Sequence, residues 1–124
     1  MSDAGPGRRY PRMARVNELV REVVAEELEL LLDDDPRVGL LTVTHVQVTP
    51  DLRAATVMLS SLPEGAADAL AEHRARLQAA IARQVRLKRT PQLSFQADPA
   101  VARGQQIEDV LRRLRGGDLP DADE

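Results

Sequence analysis

Apolar side chains first recur at helical spacing in Val16, Val20, Val23 or Val24, Glu27 or Leu28, and Leu31, which predicts a helix from about Met13 to Leu32. Asp33, Asp34, Asp35 and Pro36 end it, because a proline disfavours helical geometry at the residue before it. Gly39 then supplies a flexible joint. From Leu40 to Thr49 the period changes to two: Leu41 and Val43 share one face, Val46 and Val48 the other. The phase slips near His45, so one extra residue at Thr44 or His45, a β-bulge, is needed to restore the register. Thr49-Pro50-Asp51-Leu52 suits a tight turn, with Pro50 pre-set for the second position. A second strand follows from Arg53 to Leu62, with Ala55, Val57 and Leu59 alternating with Thr56, Met58 and Ser60, and it closes a hairpin.

After Pro63-Glu64-Gly65 the pattern is helical again, and Leu70, Leu77, Ile81 and Val85 lie within about 80° of one another at 100° per residue. In one straight helix Arg74 would fall in the apolar sector. Burying an unpaired guanidinium is costly, so either Arg74 snorkels out along its stem or the helix breaks near His73 to Ala75, and the close apolar neighbours favour the break. Thr90-Pro91 ends the region, Leu93, Phe95 and Ala97 alternate as a third strand, and Asp98-Pro99 closes it. A last helix, about Gly104 to Leu114, carries Ile107, Val110, Leu111 and Leu114 on one face, expected to cover apolar sheet or a helix edge. The order is α-β-β-α-α-β-α in one α+β domain over residues 13–115. Residues 1–12 read as a flexible basic arm and residues 116–124 as an acidic disordered tail.

Composition narrows the chemistry. The 124 residues include no cysteine, so thiol catalysis, redox pairs and thiolate metal sites are excluded. His45 and His73 have no partner at chelating spacing; His45 reads as a locally hydrogen-bonded side chain and His73 as a polar joint residue near the helix break. The Asp33 to Asp35 run lacks the glycine and distal glutamate of a calcium loop, and no phosphate-binding glycine motif occurs. No catalytic residue, cofactor or metal is expected. Aromatic residues are limited to Tyr10 and Phe95, too few for a base-stacking platform. No apolar run is long enough to cross a membrane and the opening MSDAGPGRRYPRM has no apolar segment after its charges, so a cytoplasmic protein is expected.

The net charge of -3 conceals a segregation. Glu22 to Asp35 hold seven acids and no base, whereas His73 to Ala97 hold Arg74, Arg76, Arg83, Arg86, Lys88 and Arg89 and no acid. On the helical wheel Arg76, Arg83 and Arg86 span about 80° away from the Leu77 stripe, so they can point together into solvent. Arg12 and Arg15 at the start of the first helix, and the glutamates near its end, oppose the macrodipole, an arrangement that helix stability does not explain.

Three segments carry a resemblance: RVNELVREVVAEEL at Arg15 to Leu28, LLTVTHVQVTPDLRAATVMLS at Leu40 to Ser60, and VRLKRTPQLSFQAD at Val85 to Asp98. Together they resemble the ribosome-binding factor A family over about Met13 to Leu114. The most specific features are the T-V-T-x-V-x-V-T-P-D-L run and, at the right distance, R-L-K-x-x-P-x-L-x-F-x-x-D. The resemblance implies a KH-like, type II-like fold and a monomeric, non-enzymatic assembly factor. It implies binding to the free 30S subunit, support of late 16S rRNA maturation including its 5′ end, and a part in cold adaptation. In place of the KH loop the family has an Ala-x-Gly kink between two helices; here it falls on His73, Arg74 and Ala75, and Ala75 stands where the family has glycine, which leaves the sharp turn open. The implied phosphate contacts fall on Arg74, Arg76, Arg83, Arg86, Lys88 and Arg89, with Arg8, Arg9, Arg12 and Arg15 adding to them and acidic helix 1 facing away. Two other readings stand beside it: a protein-interaction adaptor whose arginines only keep it soluble, and a KH-like protein for another RNA.

Overall fold

A computed structural model describes the backbone of residues 6–117 and the side chains of residues 12–101 and 103–115. The chain runs through α1 (Pro6–Asp34), a single 3-10 turn (Pro36–Val38), β1 (Val43–Val48), β2 (Ala54–Leu59), α2 (Glu64–Glu72), α3 (Arg74–Gln84), β3 (Gln92–Ala97) and α4 (Pro99–Arg112), then a π turn (Arg113–Gly117). The α-β-β-α-α-β order expected of the KH-like fold is present. α1 starts earlier than the apolar pattern predicts, taking in residues 6–12 that the sequence sets apart as an arm. Proline is compatible with the first helical position, which explains Pro6. Residues 118–124 of the acidic tail lie outside the described residues.

The sheet has the order β1-β2-β3, with β1 antiparallel and β3 parallel to β2. Three rows cross its core face: Val48, Ala55 and Leu93; Val46, Val57 and Phe95; Val43, Leu59 and Ala97. The first row sets the register, and the third depends on the bulge. Val43 pairs with Leu59 and His45 with Met58, so two steps along β1 match one along β2, and Thr44 is the extra residue. That slip puts Val43, Val46 and Val48 on one buried face despite their uneven spacing. The turn between the strands closes through Leu52 N–H donating to the Thr49 carbonyl at 2.8 Å. Leu52 takes a left-handed φ of 63°, a cost offset by packing its side chain against the core.

Helices α1 and α3 cover this face. Val20, Val24, Leu28 and Leu31 of α1 meet Leu77, Ala80 and Ile81 of α3 and the valines of the sheet in one buried cluster. Each fully buried Leu or Val here contributes about 1.5 to 3 kcal/mol. Asn17 fixes α1 along the hairpin by accepting from Val48 N–H at 2.9 Å. Gly39, at φ 65°, occupies the left-handed region where a side chain would be strained, and lets the 3-10 turn drop Val38 into the core.

One expectation fails. The apolar face of α4 covers neither sheet nor helix: Ile107, Val110, Leu111 and Leu114 remain 54%, 49%, 45% and 76% exposed. The reason lies upstream. α4 begins at Pro99, directly after β3, capped by Asp98 accepting from Ala100 N–H, so the direction it leaves the sheet is set before its stripe begins.

Candidate nucleic-acid interface

The α3 helix turns Leu77, Ala80 and Ile81 inward, and its cations fall on the remaining sides. Beyond it the loop to β3 alternates: Val85 and Pro91 are buried and Leu87 packs against the core, while Arg86, Lys88 and Arg89 are exposed. The apolar residues anchor the loop and the cations between them are thrown outward. Gln78 secures the same junction by accepting from Leu93 N–H at 3.0 Å. Arg83, near the end of α3, is exposed beside this loop in sequence, and Arg12 and Arg15 are exposed on α1. Among the described residues no carboxylate pairs with Arg83, Arg86, Lys88, Arg89, Arg12 or Arg15. Arg8 and Arg9 have their side chains outside the described residues.

Arg76 does not join them. Its Nε donates to Glu27 at 2.9 Å and a terminal nitrogen to Asp34 at 2.7 Å, so it is held by two acids of α1 instead of pointing freely into solvent with Arg83 and Arg86. Glu27, only 7% exposed, takes a position in the apolar stripe of α1. A carboxylate there needs a cation, and Arg76 supplies it. The acids of α1, first Asp34 and then Glu27, raise the Arg76 pKa. Arg74 is half-buried, and its Nε is buried without a hydrogen-bond partner among the described residues.

The helix break falls at His73, with φ -99° and ψ 13°, between the end of α2 and the start of α3. This bridge conformation is open to any residue, and Ala75 sits inside α3 at an ordinary negative φ. The bend therefore survives without glycine. A charge cluster between the 3-10 turn and the end of α2 braces it. His73 Nε2 lies 2.9 Å from Asp35 Oδ2; Arg37 donates to both Asp35 oxygens, at 3.0 and 2.7 Å, and to both Glu72 oxygens, at 3.1 and 2.6 Å. Hydrogen bonds from Arg37, and then from His73, hold the Asp35 carboxyl far below the usual carboxylate range. Arg37 likewise lowers Glu72, and Asp35 followed by Glu72 raises Arg37. The sequence pattern does not reveal this cluster, because Arg37 and Glu72 are 35 residues apart. Its one local sign is the arginine that follows the aspartate-proline run.

The two family-like sequence runs also meet in space. Thr44, the bulge residue of the first, donates its hydroxyl to Asp98, the last residue of the second, and the Met58 carbonyl lies 3.3 Å from the same hydroxyl oxygen. Asp98 in turn donates its N–H to the Leu59 carbonyl at 2.7 Å and caps α4. The Thr44 hydroxyl, followed by the Ala100 amide, lowers the Asp98 pKa. His45 bonds locally, its Nε2 3.3 Å from the Gln47 side chain.

These carboxylates predict an acid limit. Asp35, Glu72 and Asp98 all have folded pKa values below their unfolded ones, so the stability they lend is complete above the unfolded values and is lost as pH falls through the folded ones. The unfolding temperature should hold from neutral pH to about pH 5 and drop steeply below about pH 4. Thermal melts across that range, with Asp35→Asn as the comparison, check this; the variant should show a shallower acid decline.

Residues 12–111 match the family of ribosome-binding factor A. The chain belongs to the ribosome-binding factor A family. Ribosome-binding factor A of Rubrobacter xylanophilus is 42% identical over 123 residues, which cover 95% of this chain and 93% of that protein. The crystal structure of ribosome-binding factor A from Thermus thermophilus is similar at a TM-score of 0.63 and 37% identity, over 68% of this chain and 94% of that one. A model of the Thermus thermophilus factor fitted into a cryo-EM map of its 30S complex is similar at a TM-score of 0.54 and 38% identity, over 65% of this chain and 89% of that one. Proteins of this family are ribosome-binding factors, not enzymes. No described helix is long and apolar enough to cross a membrane.

Proposed function

We propose that this ribosome-binding factor A family member binds the free 30S subunit in the cytoplasm and assists late maturation of 16S rRNA, including processing of its 5′ end. Arg83, Arg86, Lys88 and Arg89 contact phosphates, and Arg12 and Arg15 extend the contact along α1. Arg74 adds to it from the start of α3, and Arg8 and Arg9 from the start of the chain. Arg76 serves the fold instead, neutralising Glu27 and Asp34 and so tying α3 to α1. The observation that carries this reading is the run of exposed cations from Arg83 to Arg89, unpaired among the described residues, on a chain of this family. The contacts are to the RNA backbone, since phosphate oxygens are what guanidinium forks and ammonium groups recognise and no aromatic platform accompanies them.

Four to six phosphates neutralised by these groups release counterions on binding. The affinity for purified small subunits is expected to fall with a log-log slope in salt of roughly -3 to -4. Measured from low to physiological salt, a flat response would remove the phosphate contacts from consideration. Sedimentation of cell lysate supplies the partner: co-migration with free small subunits is expected, and migration with translating ribosomes or with unrelated RNA would contradict the reading.

A further inference from the structure

Two groups of cations in the proposed contact, Arg12 with Arg15 and Lys88 with Arg89, lie beyond one end of the sheet at opposite edges. Val48, Ala55 and Leu93 form the last row that crosses all three strands at that end, so the turn after β1 and the loop before β3 both lie past it. α1 runs antiparallel to β1: Asn17 is bonded to Val48, and at the far end of α1 only Gly39 to Thr42 separate the 3-10 turn from Val43. Arg15 and Arg12, two and five residues before Asn17, therefore project past the same end on the β1 side, by about 3 and about 7.5 Å at 1.5 Å per residue. Lys88 and Arg89 precede Gln92, the first residue of β3.

Arg53 stands between them. It directly precedes β2, the central strand, and its carbonyl accepts from Gln92 N–H at 2.9 Å. Between Val38 and His73 it is the one Arg or Lys in the chain. Its Nε lies 3.6 Å from Asp51 Oδ2, beyond hydrogen-bonding distance, and the two side chains are 69% and 60% exposed. Asp51 is committed to the turn, accepting from the Thr49 hydroxyl at 2.7 Å and from Arg53 N–H at 3.1 Å. An ion pair this long and this exposed leaves the guanidinium open to another anion.

We propose that Arg53 contacts an rRNA phosphate between those reached by Arg12 and Arg15 and those reached by Lys88 and Arg89, so that the turn after β1 joins the two groups into one track for an RNA backbone. The inference rests on the reading of those cations as phosphate contacts. Adjacent strands are about 5 Å apart, so a guanidinium at the central strand closes a gap of about 10 Å between the two edges.

Binding of the full chain to purified small subunits, measured across salt, tests it. Arg53→Gln should lower affinity several-fold and make the log-log salt slope shallower by about 0.7 to 0.9, the share of one phosphate. Arg53→Glu should cost tenfold or more, and Arg53→Lys should retain most of the affinity, because a phosphate contact needs the charge. Thermal unfolding should not move, since the side chain is exposed. Arg103→Gln removes the same charge from α4, which begins at the opposite end of the sheet, and should change neither affinity nor slope. An Arg53→Glu protein that binds as tightly as wild type, while Arg83→Glu with Arg86→Glu loses binding, would overturn the proposal and leave the other contacts standing; if neither variant loses binding, the phosphate reading itself fails. A loss in Arg103→Gln equal to that in Arg53→Gln would also overturn it, because net charge and not position would then account for the effect.

Discussion

Replacing Arg83 and Arg86 together by glutamate is expected to lower affinity for the 30S subunit a hundredfold or more, which at about 1.4 kcal/mol per decade is roughly 3 kcal/mol. The double change removes two phosphate contacts and sets two repulsive charges in their place, on a surface where electrostatics dominates binding. Both side chains are exposed and neither is ion-paired among the described residues, so unfolding should shift by no more than about 0.5 kcal/mol. Filter binding or co-sedimentation with purified subunits, run beside a thermal melt, separates the two effects. Unaltered binding would exclude this end of α3 from the interface.

Arg76→Ala should do the reverse. Its removal leaves Glu27 buried and without its cation, and frees Asp34, so the unfolding temperature is expected to fall by several degrees. Adding Glu27→Leu should recover most of that loss, because an apolar side chain suits the stripe of α1 and no charge then needs a partner. At temperatures where the single variant is folded, its affinity for the subunit should stay within about threefold of wild type, an upper bound near 0.7 kcal/mol. A hundredfold loss of affinity in a stably folded Arg76→Ala protein would show instead that Arg76 serves the RNA.

The contrast between two arginines seven residues apart shows where local pattern stops being informative. On a helical wheel Arg76 and Arg83 share a side of α3, and nothing nearby in the chain distinguishes them. What separates them is the length of α1. Its acidic end packs beside the start of α3, where Glu27 and Asp34 capture Arg76 from 49 and 42 residues away. The helix break was legible for a related reason: Arg74 at an apolar position announces a conflict that a straight helix cannot resolve. Its brace was not, since Asp35, Arg37, Glu72 and His73 come together only once the 3-10 turn is laid against α2.

By itself the sequence determined the order of the elements, the buried face of each strand, a bulge at Thr44 or His45, the turn after Thr49 and the run of cations from Arg83 to Arg89. All of these follow from periodicity and from the backbone preferences of a few neighbouring residues. Only the tertiary structure decided which charges are spent inside the fold, how Thr44 reaches Asp98, and that the apolar stripe of α4 is left uncovered. Periodicity tells a side chain which way to face along its own helix or strand. Whether something waits on that side depends on how elements distant in the chain are packed, and a repeat of three or four residues carries no information about that.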